Sequence, residues 1–310
     1  RIITVFSLGT LGYMCLEKIV MGTGKTTITM ICQLAGAMTN IILDPIMIYG
    51  LLGCPAMGVA GAAWATVIGQ FVSLIVIATV YFKKGVGIES NIRYLKPERQ
   101  TLGSIYSIGL PAIVMQILTP IMSYTLNLIL GAISVSAVTA YGVYYKLQNF
   151  IFMPGYGLNN ASIPIISYNF GARNKQRVSQ TVRYGLIYVS VIMLIGIALL
   201  QLFARQIVGI FSVTEESHQL CVLALRIITC GFFFAGANII LQGVCQALGK
   251  GIYSLVISLL RFIVLVLPMA WALSLTENAA SLVWLSLPVA EAGACVAAIL
   301  LTRKIYRKAL

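Results

Sequence analysis

Charged residues are scarce in this sequence. Only 9% of its 310 residues are Asp, Glu, Lys or Arg, whereas 59% are hydrophobic. A soluble domain of this size carries about a quarter charged residues. A chain so poor in charge cannot expose most of its surface to water, and its hydrophobicity also excludes intrinsic disorder. The composition therefore indicates an integral membrane protein.

Histidine is also scarce, and the cysteines do not form motif pairs. The chain has one histidine, which excludes most histidine-based catalysis and His-rich metal sites. Its seven cysteines include no Cys-x-x-Cys pair and lie mostly in apolar runs, as small buried side chains do. The sequence also offers neither the paired carboxylates nor the His/Glu cluster that a membrane-embedded enzyme needs. We therefore expect no enzymatic activity and no cofactor.

Nine apolar segments reach the length of about 20 residues that a membrane-spanning helix needs. They cover residues 2–22, 28–50, 57–82, 102–130, 133–169, 178–211, 219–248, 252–274 and 280–302. Basic residues concentrate in alternate loops, around Lys25, 83–99, 173–183 and Lys250, and in the C-terminal tail. The positive-inside rule places these loops and the C-terminus in the cytoplasm. The net charge of +13 then reflects topology rather than a nucleic-acid partner. We predict a monomeric, multi-pass protein of the plasma (inner) membrane, surrounded by membrane lipid.

A weak internal repeat relates two parts of the chain. Residues 16–25 and 241–250 each end an apolar helix at a Gly-Lys turn, and they lie 225 positions apart. Repeats of equal orientation occur in transporters, which bind substrate between the two halves. The repeat predicts a first domain over 1–100, a second over 101–310, and a polar cytoplasmic linker at 83–101. The second domain has six segments and the first only three, so we expect three N-terminal helices to be missing from this chain.

Polar residues inside the apolar segments are the candidates for function, because such groups are costly in lipid. Asp44 lies inside the second segment with Asn40 one helical turn before it. Pro45 removes a backbone donor and frees the carbonyl of Ile41. A carboxylate and an amide oxygen can bind Na⁺, and a buried carboxylate can instead carry a proton. The alternative is that Asp44 caps a broken helix or pairs with a missing helix.

The second domain holds further polar residues at mid-span. Glu291 is either functional or the partner of Arg226 or Arg261, and Lys146 is a third basic residue at this depth. Pro154 and its neighbouring glycines are expected to break the 133–169 segment, which is tolerated only beside a cavity or inside protein. The polar stripe that precedes Pro154 can stack on a flat organic cation or simply pack between helices. It comprises Tyr141, Tyr144, Tyr145, Gln148 and Asn149.

Four stretches resemble the multidrug and toxic compound extrusion (MATE) transporters. They are Asn40-Ile-Ile-Leu-Asp-Pro45, Gly58 to Thr66, Gly109-Leu-Pro111 and Phe152 to Ala172. The similarity follows the family order along essentially the whole chain. It implies an all-α polytopic membrane protein of two six-helix lobes around a V-shaped cavity, with nine of twelve transmembrane helices present. The chain would then begin in the fourth helix, so that 1–100 is the remainder of the N-lobe and 101–310 is the C-lobe.

The resemblance also implies a function and a set of sites. MATE proteins export amphipathic, often cationic compounds in exchange for H⁺ or Na⁺, and Asn40, Asp44 and Thr66 match their N-lobe cation site. Binding at Asp44 would bend the helix at Pro45. Gln116 and Asn238 occupy positions where some members carry carboxylates, which argues against a C-lobe cation site. The expected substrate cavity comprises Gln116, Tyr141, Tyr145, Gln148, Asn159, Asn238 and Glu291. The alternative function is a lipid-linked oligosaccharide flippase, for which a strongly cationic cavity would speak.

Overall fold

The computed structural model describes residues 2–83, 98–211 and 213–309, and every regular element in these ranges is helical. The chain separates into two compact units, Arg1–Lys96 and Pro97–Leu310. The division falls within the predicted linker at 83–101, of which residues 84–97 lie outside the described residues. Helices dominate because lipid offers no partner for backbone N–H and C=O groups, which a helix satisfies internally.

The described residues of the first unit form four helices and a short 3-10 turn. They are α1 (Ile2–Val5), α2 (Leu8–Gly22), α3 (Thr26–Tyr49), the turn Leu51–Gly53, and α4 (Val59–Lys83). Pro45 lies inside α3 without ending it. The helix ends at Gly50, whose φ of 73° is the left-handed conformation that glycine adopts most easily at a helix C-terminus. Val20, Cys32 and Ile77 form the buried core of this unit.

The described residues of the second unit form ten helices, and two pairs of these are joined by a segment of another helix type. They are α5 (Arg99–Ile133), α6 (Val135–Gly171), α7 (Lys175–Leu202), α8 (Ala204–Gly209), α9 (Glu215–Thr229), α10 (Phe232–Ala247), α11 (Gly251–Leu259), α12 (Leu267–Ser274), α13 (Ala279–Leu282) and α14 (Ser286–Ala309). A π-helical segment, Leu260–Val266, joins α11 to α12. A 3-10 turn, Val283–Leu285, joins α13 to α14. The core is one continuous apolar cluster that includes Phe152, Phe232 and Trp284.

Six helices in the described ranges are long and apolar enough to cross a membrane, and the bent pair α9–α10 makes seven. Two of the nine predicted segments are therefore not among these spanning helices. The segment at 2–22 is divided, and its longer part, α2, has only 15 residues. The segment at 133–169 forms a helix of 37 residues, but it is not among the helices that are apolar enough over a whole span.

The breaks lie elsewhere than the sequence suggested. Helix α6 runs without interruption through Pro154, so the predicted break there was wrong. Proline costs a helix one hydrogen bond, and packing can compensate for it: Gly155 is buried and lies against Met193. The segment predicted as one span at 219–248 instead bends by 50° between Thr229 and Phe232.

The two repeat copies have the same turn. Gly24 and Gly249 have positive φ angles of 81° and 70°. The amide of Gly24 donates to the carbonyl of Met21, and the amide of Gly249 donates to that of Gln246. Both partners lie three residues earlier, so the hydrogen bonds repeat at the offset of 225 that the sequence shows.

Candidate functional site

The predicted ion-coupling residues of the first unit lie together. Asn40 and Asp44 are one turn apart on α3, and the amide Nδ2 of Asn40 is 3.4 Å from the Asp44 Oδ1. The same nitrogen is 3.4 Å from the hydroxyl of Thr66 on α4. With the amide turned over, its nitrogen donates to the Asp44 Oδ2 at 3.2 Å and its oxygen accepts from the Thr66 backbone N–H at 3.2 Å. Either way, the amide bridges the carboxylate to the second helix.

Glycines bring these two helices close enough for that bridge. A Cβ atom at Gly36 would lie 2.6 Å from the carbonyl oxygen of Gly69. One at Gly61 would lie 2.6 Å from the backbone carbonyl carbon of Met47. Small residues allow membrane helices to approach in this way. Asn40 and Thr66 lie between these two contact points, so their side chains meet.

The oxygen atoms of this cluster suit a small hard cation or a proton. Asn40, Asp44 and Thr66 are all half-buried. The Thr66 hydroxyl donates to the carbonyl of Ala62 at 2.9 Å, so its lone pairs remain available to a ligand. Carboxylate, amide and hydroxyl oxygens bind hard cations. Within the described ranges, no three His, Cys, Asp or Glu side chains gather as they would around a transition metal.

The second unit contains a polar cavity of about 610 Å³. It is lined by α5, α6, α10 and the region where α11 passes into the π-helical segment. The lining residues are Ala112, Met115, Gln116, Thr119, Pro120, Tyr156, Asn159, Asn160, Ile239, Gln242, Gln246, Ser258, Arg261 and Phe262. Two of the predicted substrate residues, Gln116 and Asn159, are among them.

Glu291 and Asn238 lie behind this cavity in a buried polar network. The Arg261 Nε donates to the Glu291 Oε1 at 2.8 Å, and the Arg261 Nη2 donates to the same oxygen. The Asn238 Nδ2 donates to the other oxygen, Oε2, at 3.0 Å. Glu291 therefore has the basic partner that the sequence left open, and that partner is Arg261. Arg226 is exposed, and Lys146 lies over the ring of Phe211, 5.7 Å from its centroid.

The predicted tyrosine stripe is placed differently. Tyr141, Tyr145 and Gln148 are not among the lining residues of the described cavity. Tyr141 is buried, donates to the Ser123 hydroxyl at 3.3 Å, and packs on Tyr144 and Tyr145 with ring centroids 5.8 and 6.1 Å away. The alternative of ordinary helix packing describes Tyr141 well.

Sequence reasoning missed most of the amides in the cavity wall. Gln242 and Gln246 are one turn apart on α10, and Asn160 follows Asn159 on α6. Each is a polar side chain in an apolar segment, which is the criterion that singled out Asp44. Gln242 and Gln246 share one face of α10, and that shared polar face is the signal that the sequence contains.

Comparison with known proteins gives a consistent result. A family model described as MatE matches residues 111–272. The multidrug export protein MepA of Staphylococcus aureus strain MSSA476 is 27% identical over 289 residues, which is 93% of this chain and 62% of MepA. MepA of Staphylococcus haemolyticus strain JCSC1435 is 27% identical over 279 residues, 90% of this chain and 60% of that protein. This chain thus spans about three fifths of the curated relatives it matches.

Solved structures have the same fold. One is described as the outward-facing conformation of a multidrug resistance MATE family transporter of the MOP superfamily. It superposes with a TM-score of 0.93 at 23% identity, over 100% of this chain and 69% of that one. At this identity the likeness establishes the fold, an all-helical membrane bundle, and leaves the function to the sites.

Proposed function

This chain belongs to the MatE family, and on that premise we propose that the protein exports amphipathic, cationic organic compounds in exchange for H⁺ or Na⁺. It would act as a monomer in the plasma (inner) membrane, with its C-terminus in the cytoplasm. Asp44 is the coupling group of this proposal, with Asn40 and Thr66 as its partners. The observation that carries the proposal is the Asn40 amide, which bridges the Asp44 carboxylate to Thr66 on the next helix.

The bridge makes the packing of α3 on α4 depend on the charge of Asp44. A carboxylate accepts the hydrogen bond of the Asn40 amide more strongly than a neutral acid does. If Na⁺ is the coupling ion, Asp44, Asn40 and Thr66 supply oxygen ligands to it. Since Pro45 has no N–H, α3 lacks one backbone hydrogen bond at this point. Ion binding would change the bend of α3 there and alter access for the drug.

The available driving force is sufficient for useful export. One H⁺ or Na⁺ entering as one monovalent cation leaves moves no net charge, so the concentration gradient of the coupling ion drives the exchange. Each factor of ten in that gradient supplies about 1.4 kcal/mol, which supports about a tenfold concentration ratio of drug. A single coupling carboxylate therefore suffices where the ion gradient is at least as large as the drug gradient.

The flippase alternative requires a strongly cationic cavity, and the described cavity does not favour it. Of its described lining residues, Arg261 alone is charged, and Glu291 pairs with it. Amides and hydroxyls make up most of the polar wall. Such groups suit compounds with several hydrogen-bonding atoms and do not concentrate phosphate charge.

The test uses full-length protein in everted membrane vesicles and ethidium as the transported dye. We expect ethidium uptake to follow an imposed H⁺ or Na⁺ gradient and to stop when an ionophore collapses that gradient. Asp44→Asn should abolish the uptake, since an amide cannot carry the coupling charge. Glu17→Gln is the matched control, because this carboxylate lies on α2 beside Lys18 and outside the cluster. Uptake by Asp44→Asn at the wild-type rate would refute the assignment.

A further inference from the structure

We propose that the cavity of the second unit contains a subsite for the carboxylate of an aromatic substrate, built by Arg261 and Gln242. The proposal goes beyond the proposed function, because it adds acidic aromatic compounds to the cationic ones proposed for export, and it rests on that function for its physiological meaning. The binding site itself stands on the following geometry.

Arg261 lines the cavity, and only part of its guanidinium is bonded to a neighbouring side chain. The residue is only 5% exposed. Its Nε and Nη2 both donate to Glu291, which Asn238 fixes from the other side. Within the described chain, Nη1 has no hydrogen-bond partner. The residue lies in the π-helical segment Leu260–Val266, a distortion that is frequent at functional sites.

Gln242 presents a second donor without a partner in the same cavity. Its Oε1 accepts a hydrogen bond from the Ser258 hydroxyl at 3.1 Å, which sets the orientation of the amide. Its Nε2 is buried and has no partner among the described residues. Ser258 precedes Arg261 by three residues, so Gln242 is held against the same stretch of helix. A buried donor without an acceptor is costly, and Gln242 lines the same cavity as Arg261, so a ligand bound there can supply the acceptor.

A carboxylate is the acceptor that fits these donors. An arginine edge binds planar two-oxygen groups with directed, charge-assisted hydrogen bonds. Among the described residues that line the cavity, Arg261 is the one that carries a charge, and this charge is positive.

The rest of the wall favours an aromatic body on this ligand. Tyr156, Phe262, Met115 and Ile239 give the cavity an apolar surface beside its amides. The volume of about 610 Å³ lies within the range of small-molecule sites. An aromatic acid of two fused rings can therefore place its rings on this surface and its carboxylate at Arg261.

The test compares 2-naphthoate with 2-naphthamide, which has the same shape and no charge. Binding to purified full-length protein in detergent is measured by isothermal titration calorimetry, without any ion gradient. We expect the wild type to prefer the carboxylate by about tenfold or more. Gln242→Leu should reduce this preference, and Arg261→Lys should reduce it further because lysine lacks the planar fork.

Arg261→Met alone would leave the half-buried Glu291 carboxylate without its charge partner. The decisive variant is therefore the double exchange Arg261→Met/Glu291→Met. It removes both charges and keeps an apolar filling of similar size. We expect it to fold and to bind both naphthalene compounds equally. Arg226→Gln, a change outside the cavity, should keep the wild-type preference.

Three results would overturn the proposal: equal binding of the two compounds by the wild type, no binding of naphthoate, or an undiminished preference in the double variant. Asp44→Asn separates this proposal from the one on coupling. It should lose gradient-driven ethidium uptake and keep the naphthoate preference, since the equilibrium measurement involves no gradient. If Asp44→Asn still transports while the preference behaves as expected, only the coupling assignment fails.

Discussion

Gly36 and Gly69 lie in mutual backbone contact across the α3–α4 interface. A Cβ atom at Gly36 would lie 2.6 Å from the carbonyl oxygen of Gly69, and one at Gly69 would lie 2.7 Å from that of Gly36. Backbone, unlike a flexible side chain, cannot move aside at small cost. Asn40 begins the next turn of α3, so this contact fixes the distance that its amide has to bridge to Thr66.

Gly36→Ala should separate the two helices. We expect a loss of about 1–3 kcal/mol in stability, the usual cost of overpacking a close interface, together with a loss of coupled ethidium uptake. The measurement is the thermal unfolding of full-length protein in detergent, followed by fluorescence-detected size exclusion. Gly22→Ala is the control, since a Cβ there meets nothing within 4 Å. An unchanged melting temperature for Gly36→Ala would show that the helices can separate without cost.

The Arg261–Glu291 ion pair behind the cavity of the second unit gives a prediction in which one substitution lowers the stability and a second one restores it. Arg261→Met leaves the Glu291 side chain, which is only 14% exposed, without its charge partner, which costs up to about 3–5 kcal/mol. Adding Glu291→Met removes that charge, and the double variant should regain most of the loss. A thermal unfolding series of the wild type, both single variants and the double variant measures the coupling. Additive losses would contradict a direct interaction between the two side chains.

The boundaries of two of the three predicted spans in the first unit were predictable from hydropathy. The segments predicted at 28–50 and 57–82 became Thr26–Tyr49 and Val59–Lys83. The contact between Asn40 and Asp44 was also accessible, since residues four apart share one face of a helix. The positions of helix breaks were not predictable. Pro154 was expected to break a helix that in fact continues through it, because packing compensates for the lost hydrogen bond. The bend at Cys230 and Gly231 contains no proline that would have predicted it.

The residues that line the cavity of the second unit were only partly predictable. Gln116 and Asn159 were identified from the resemblance and the polar pattern. The pairing of Glu291 with Arg261 rather than Arg226 depends on how α14 packs against the π-helical segment. Hydropathy does not encode that packing. The extra residue that a π-helix accommodates rotates the following side chains relative to a regular α-helix, which a period of 3.6 residues does not anticipate.

Basic residues predict the orientation of the chain in the membrane. The tail from Arg303 to Lys308 is rich in Lys and Arg, whereas the turn around Glu277 has no basic residue. Green fluorescent protein fused after Leu310 should fluoresce, because it matures in the cytoplasm. Alkaline phosphatase inserted after Glu277 should be active, because it needs the periplasm. The exchanged fusions serve as controls and should both be silent, and activity in them would invert the topology.

Gly243 on α10 should control the position of Asn159, which lies on α6 and lines the cavity of the second unit. A Cβ atom at Gly243 would overlap the amide group of Asn159 and lie 2.8 Å from its Cγ. Gly243→Ala therefore has to push Asn159 out of place, and we expect both weaker binding of transported compounds and a lower melting temperature. Asn159→Ala alone removes the amide but leaves the helices together.

The double variant Gly243→Ala/Asn159→Ala separates these two effects. Since the shortened side chain makes room for the new methyl group, its stability should return toward that of Asn159→Ala. Ethidium uptake should stay at the level of Asn159→Ala, because the amide is still absent from the cavity wall. Gly157→Ala, on the same helix as Asn159 and with nothing within 4 Å of its Cβ position, controls for the glycine exchange. If the double variant were no more stable than Gly243→Ala, the clash would not be with Asn159, and the close α6–α10 contact would have to depend on the backbone.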